Sequence, residues 1–93
     1  MSDSVLTRLL LVEDSSYMAD AFQGLLALVP GLCLVGHAAC YAEAIPLALR
    51  VQPDIAMVDL RIPFHPQTPP APAHGLAVLR DLHSSLPQIK LLV

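Results

Sequence analysis

The pattern of apolar and polar positions along this chain changes period several times, and each change predicts a new element. Largely apolar runs cover residues 8–12, 32–35 and 55–58, and a fourth, which contains Lys90, covers residues 89–93. Runs of this length without alternation are typical of strands that are buried on both faces. We therefore predict four strands of a parallel sheet.

Between these runs, apolar residues recur at helical spacing. Ser15 or Ser16 can cap the first helix, and Pro30 with Gly31 stops it. The residues predicted to face inward from this helix are Met18, Phe22, Leu25, Leu26 and Val29.

Two further helices are predicted after the second and third strands. Residues 41–51 form a helix with Ile45, Ala48 and Leu49 inward, and Pro46 should bend this helix or delay its start. A later stripe of leucines, closed by a proline, predicts the third helix: Leu76, Leu79, Leu82 and Leu86, then Pro87.

The resulting order is β-α-β-α-β-loop-α-β. Strands that alternate with helices predict an α/β fold with a doubly wound parallel sheet, right-handed crossovers and helices on both faces. The length of 93 residues fits one domain, residues 1–93.

The amino-acid composition and net charge exclude several classes of function. Hydrophobic residues make up 55% of the chain, which indicates a packed core. The net charge of −3 and only five basic residues provide no electrostatic footprint for nucleic acid or an anionic membrane. The two cysteines imply no disulfide framework, so we expect a reduced, cytoplasmic location.

Three acids follow two of the predicted strands. Glu13 and Asp14 come after the first strand, and Asp59 comes directly after the third. Carboxyl ends of parallel strands meet at one edge, and ligands bind there where the strand order reverses. One such acid alone is more often a turn or cap residue, but three together suit Mg²⁺. A carboxylate beside that metal could accept a phosphoryl group.

The segments LLLVEDS, LVGHAACYAEAI and PDIAMVDLRIP resemble the receiver domain of two-component response regulators, the CheY-like family, and within it the NarL/FixJ type. The resemblance implies a flavodoxin-like sheet of strand order 2-1-3-4. It implies that Asp59 is the phosphoacceptor, and that Glu13, Asp14, Asp59 and the backbone carbonyl of Arg61 hold Mg²⁺. Pro63 and Gly75 match the family's proline after the phosphoacceptor and the glycine that opens the third helix.

The resemblance also implies partners and an output. A sensor histidine kinase would supply the phosphoryl group, and the chain would be a signalling module rather than an enzyme. The output would regulate transcription and would reach DNA only through a C-terminal domain that this sequence lacks. No membrane partner is expected.

The sequence departs from the family in two places. Eleven residues, 64–74, separate Pro63 from Gly75, which is about eight more than is usual for the family, and five of the chain's nine prolines lie between residues 63 and 72. This proline-rich insertion would be a lid or docking segment, or else a tolerated surface loop. The sequence also stops after the fourth strand, before the family's Ser/Thr and Lys. We therefore expect a truncated receiver that forms a homodimer or a domain-swapped oligomer.

Other functions remain open at this point. A degenerate receiver would bind partners without phosphorylation and without Mg²⁺. A phosphatase with an aspartate nucleophile would need a second Asp two residues after Asp59, where Arg61 stands. A zinc site at Cys33, His37 and Cys40 is disfavoured because no fourth ligand is evident.

Overall fold

The computed structural model describes residues 6–93, so the first five residues of the predicted 1–93 domain lie outside the described part. Strands and helices alternate along it as follows: β1 Thr7–Val12, α1 Ser16–Leu26, β2 Leu32–Ala38, α2 Tyr41–Val51, β3 Ile55–Val58, α3 Pro72–Ser85 and β4 Lys90–Leu92. No helix in residues 6–93 is long and apolar enough to cross a membrane.

The strands form one parallel sheet with the order β2-β1-β3-β4. The predicted fold class and strand order are therefore confirmed. Because β1 lies between β2 and β3, the chain leaves β1 in one direction and later returns to its other side. The carboxyl ends of β1 and β3 thus border the point where the strand order reverses.

The core lies mainly between the sheet and one helical layer. Right-handed crossovers put α2 and α3 on the same face, where they contact each other, and α1 on the opposite face. Strand β1 is buried on both faces, as its apolar run predicted, because successive side chains alternate in direction. The buried cluster consists of Leu10, Val12, Ala38, Ala44, Ala48, Ala56, Val58, Ile62, Val78 and Leu82.

Helix α1 differs from its predicted orientation. Ser15 is the cap, and its hydroxyl oxygen accepts the N–H of Met18 at 3.2 Å. The helix ends at Leu26, and its buried residues are Ala19 and Leu26. Three of the five residues predicted to face inward are instead exposed: Met18, Leu25 and Val29.

Two inward positions on the other helices were also wrong. Leu49 of α2 and Leu76 of α3 are exposed, at 48% and 55%, whereas Ala44 and Val78 are fully buried. Helix α2 begins at Tyr41 and continues through Pro46, so the delayed start is not observed. These helices pack through smaller side chains than the leucine pattern indicated.

Candidate functional site: an acidic edge of the sheet

The three predicted acids meet at one edge. Val12 and Val58 are paired in the parallel register of β1 and β3, and the next residue, Asp59, donates its N–H to the Val12 carbonyl at 2.9 Å. One carboxylate oxygen from each of Glu13, Asp14 and Asp59 lies within 4.8 Å of the other two. Within residues 6–93, no other group of three or more His, Cys, Asp or Glu side chains comes together in this way.

Glu13 is the half-buried member of the three acids. Burial raises the pKa of the Glu13 carboxyl, and the neighbouring carboxylates of Asp59 and Asp14 raise it further. The N–H of Ser15 donates to Glu13 Oε2 at 3.1 Å and opposes the rise. The cluster therefore favours a bound positive charge.

The composition of the cluster fits Mg²⁺. All three groups are carboxylates, which are hard oxygen ligands, and two of them, Asp14 and Asp59, are exposed and leave room for water or a phosphate oxygen. A magnesium ion usually keeps several waters and binds through few carboxylates, so a half-open set of three suits it.

Asp59 is both accessible and oriented. Its side chain is exposed, and its Oδ1 accepts the N–H of Arg61 at 3.2 Å. This bond fixes one carboxylate oxygen toward the loop and leaves the other free of that bond. An exposed, oriented carboxylate is what a phosphoryl-accepting nucleophile requires.

Gly75 lies against the backbone just after Asp59. A Cβ at residue 75 would stand 2.3 Å from Leu60 Cα and 2.5 Å from the Leu60 carbonyl oxygen. The Gly75 N–H donates to that same oxygen at 3.0 Å. Only glycine permits α3 to approach this closely, so its first turn supports the loop that carries Asp59.

Both ends of the proline-rich insertion contact neighbouring elements, although Phe64 is itself 41% exposed. The ring of Phe64 stacks on Tyr41 with centroids 4.7 Å apart, and an isolated antiparallel bridge joins Ile62 to Ala71. Helix α3 begins at Pro72, so the last three residues of the predicted insertion belong to its first turn. Residues 65–70 are exposed.

The start of α2 also holds this loop. The N–H groups of Tyr41 and Ala42 donate to the carbonyls of Pro63 and Phe64, each at 2.9 Å. The N–H groups of a first helical turn have no partner within their helix, and here the loop after Asp59 satisfies two of them.

The sequence did not reveal the contacts made by the side chains of His74 and Tyr41. The ring of His74 is half-buried, and its Nδ1 lies 2.7 Å from the Ile62 carbonyl oxygen. The Tyr41 hydroxyl donates to a carboxylate oxygen of Asp81, which links α2 to α3. Neither contact has a local sequence signal, because 12 and 40 residues separate the partners.

The disfavoured zinc arrangement is not assembled in the described residues. Cys33 and Cys40 are free thiols, and no cluster of potential ligands there contains them or His37. The Nε2 of His37 lies 2.7 Å from the carbonyl oxygen of Glu13 and so contacts the acidic edge through the backbone.

Sequence comparison identifies proteins that are similar to this chain. No family model matches the chain. The chain is 30% identical over 88 residues to the DNA-binding transcriptional activator DevR/DosR of Mycobacterium tuberculosis, covering 95% of this chain and 37% of the relative. It is also 30% identical over 86 residues to the response regulator GacA of Pseudomonas aeruginosa, covering 92% of this chain and 36% of that protein.

Structural comparison supports the same fold. The response regulator domain of Thermotoga maritima CheB superposes with a TM-score of 0.76 at 23% identity, over 92% of this chain and 57% of that one. The present chain thus spans little more than a third of the curated relatives named above. By its strand order and its similarity to these proteins, the chain is a receiver domain of the response-regulator type.

Proposed function

We propose that this receiver accepts a phosphoryl group on Asp59 from a sensor histidine kinase, in a Mg²⁺-dependent reaction. The observation that carries the proposal is the acidic edge, where Glu13, Asp14 and Asp59 bring carboxylate oxygens within 4.8 Å of one another. A self-repelling cluster at the carboxyl edge of a parallel sheet, around one exposed acid, has the character of a metal-assisted phosphoryl-transfer site.

The roles follow from position. Glu13, Asp14, Asp59 and the backbone carbonyl of Arg61 would hold Mg²⁺, whose charge would offset the negative charge on the transferred group. A free carboxylate oxygen of Asp59 attacks the phosphorus of a phosphohistidine. A P–O bond forms as the P–N bond breaks, and the leaving imidazole nitrogen takes a proton from solvent. The N–H of Arg61 orients the attacking carboxylate.

The output is proposed from the relatives. Because one relative is a transcriptional activator that binds DNA, we assign this receiver to a NarL/FixJ-type regulator of transcription. It would act in the cytoplasm as a signalling module rather than as a metabolic enzyme, would pair with a second copy, and would reach DNA through a separate domain.

Intact-mass spectrometry after incubation with acetyl phosphate tests this proposal. We expect one phosphoryl adduct per chain with Mg²⁺ present and little or none with excess chelator. The adduct should be absent in Asp59→Asn. Asp20→Asn is the matched control, because Asp20 is an exposed carboxylate on α1 that does not belong to the acidic cluster, and it should keep the adduct.

Two results would refute the proposal. An adduct that persists in Asp59→Asn would exclude Asp59 as the acceptor. The complete absence of both an adduct and Mg²⁺ binding in the wild-type chain would favour the alternative, a degenerate receiver that acts only by binding partners.

A further inference from the structure

The loop after Asp59 is held on both sides of Arg61. On the first side, the Leu60 carbonyl oxygen accepts the N–H of Ile62 at 3.1 Å and the N–H of Gly75 at 3.0 Å. The first of these bonds closes a tight turn around Arg61. The second ties that turn to the start of α3.

On the second side, the Ile62 carbonyl oxygen has two donors. The N–H of Ala71 donates at 3.1 Å, and His74 Nδ1 lies at 2.7 Å. A carbonyl oxygen can only accept, so Nδ1 carries the hydrogen of this pair. Ile62 itself is fully buried, so a lost donor here would not be replaced freely by water.

The imidazole of His74 is held in place by its neighbours. The ring of Phe64 meets it edge-on with centroids 5.6 Å apart, and Phe64 in turn stacks on Tyr41. Of the four bonds to the two carbonyls that flank Arg61, three come from backbone N–H groups and one from a side chain. His74 is therefore the member of this set that a substitution can remove without changing the backbone.

These bonds determine the direction of the Arg61 carbonyl. The peptide between Arg61 and Ile62 is trans, so its carbonyl points away from its N–H. That N–H is directed at the Leu60 oxygen. The hydrogen bonds to the Leu60 and Ile62 carbonyl oxygens consequently fix the direction of the Arg61 carbonyl. They also fix the direction of the Arg61 N–H, which orients Asp59.

We propose that His74 is a positioning residue for the phosphoacceptor loop, acting through Ile62 on the Arg61 carbonyl and on Asp59. Its effect on Mg²⁺ rests on the proposed function, whereas its effect on the loop does not. The insertion thus contributes to the positioning of the site through its last residue, His74.

Amide hydrogen exchange by NMR, without Mg²⁺, tests the loop directly. In His74→Leu we expect the amides of Arg61, Ile62 and Ala71 to exchange about fivefold faster, the factor for one hydrogen bond of typical net strength. His74→Asn should restore slow exchange, because the Asn Nδ2 can occupy the place of Nδ1. His83→Leu, at an exposed histidine near the end of α3, is the matched control and should match wild type.

A second measurement connects the loop to the metal. The dissociation constant for Mg²⁺, by calorimetry, should rise about fivefold in His74→Leu and stay near the wild-type value in His74→Asn.

The inference is overturned if His74→Leu leaves loop exchange unchanged, or if His74→Asn exchanges as fast as His74→Leu. It is also overturned if the amides of Leu10 and Val12 accelerate equally, since His74 would then support only the whole fold. A wild-type chain with neither Mg²⁺ affinity nor a phosphoryl adduct would refute the proposed function, while the exchange comparison would still decide the role of His74.

Discussion

At the scale of single residues, the bond between Tyr41 and Asp81 is the contact that titration can follow best. The hydrogen bond to Asp81 raises the pKa of the Tyr41 hydroxyl, and burial adds to the rise. The same bond lowers the pKa of the Asp81 carboxyl, with help from Arg80, whose Nε lies 3.0 Å from Asp81 Oδ1. Each partner thus holds the other in the form that makes the bond.

The signs of these shifts define a pH window. The stability contributed by Asp81 is present above its unfolded pKa of about 4 and is lost as pH falls through its lowered folded pKa. The stability contributed by Tyr41 is present below its unfolded pKa of about 10 and is lost as pH rises through its raised folded pKa.

Phenolate absorbance gives the measurement. The variant Tyr17→Phe leaves Tyr41 as the sole tyrosine. In it, the pH midpoint of phenol ionisation should lie above the ordinary tyrosine pKa of about 10. Adding Asp81→Asn to this variant should lower the midpoint of Tyr41 ionisation toward the ordinary tyrosine pKa. Equal midpoints in the two variants would show that the bond does not form in solution.

Residues also differ in how well the sequence predicts them. The acids could be placed because each follows an apolar run, and parallel strands end at one edge. The position of His74 could not be predicted, because its partner Ile62 lies across the insertion and the path of a long loop has no local sequence signal. Chemistry at strand ends was therefore predictable, whereas chemistry that depends on loop closure was not.

At the scale of elements, the orientation of α1 shows a limit of periodicity. Met18, Phe22 and Leu25 have helical spacing, but so do Ala19, Phe22 and Leu26. The predicted set also contained Leu26, so the two stripes share Phe22 and Leu26 and differ in whether Met18 and Leu25 or Ala19 face the sheet. The sheet selects the second stripe, whose Ala19 permits closer approach, and leaves Met18 and Leu25 exposed. Spacing predicted the helix but could not choose its buried face.

The contact of α3 with the Asp59 loop predicts opposite effects at two glycines. Gly75→Ala would force Cβ against the Leu60 backbone and should lower the free energy of unfolding by about 1–3 kcal/mol. Gly24→Ala, in α1, meets nothing within 4 Å and should raise it by about 0.5–1 kcal/mol. Urea titrations measure both. A Gly75→Ala chain as stable as wild type would contradict the close packing of α3.

The insertion predicts a contrast between its tip and its packed end. Replacing residues 65–70 with Asn-Gly should change the free energy of unfolding by less than about 1 kcal/mol, because loop closure depends weakly on length. Phe64→Ala should lower it by about 1 kcal/mol or more through loss of the aromatic contacts. Thermal and urea unfolding compare the variants. A larger loss from shortening than from Phe64→Ala would assign the tip a structural role.

At the scale of the whole molecule, the alternation of strands and helices was sufficient to predict the layered α/β class, and the resemblance supplied the strand order that the structure confirms. A chain of 93 residues that folds alone buries only about two-thirds of its unfolded surface, so its stability margin is small. The contacts that the sequence did not reveal, from Tyr41, Phe64, His74 and Gly75, are long-range and converge on the loop after Asp59. They connect α2 and α3 to the proposed reaction site.

The most direct test of the phosphoacceptor assignment is to locate the phosphoryl group within the chain. An aspartyl phosphate formed with acetyl phosphate and Mg²⁺ can be reduced by borohydride, which converts that aspartate to homoserine, and peptide mass spectrometry then identifies the modified position. We predict homoserine at position 59 and at no other acid. Homoserine at position 14, or the corresponding reduced alcohol at Glu13, instead of homoserine at position 59 would contradict the account.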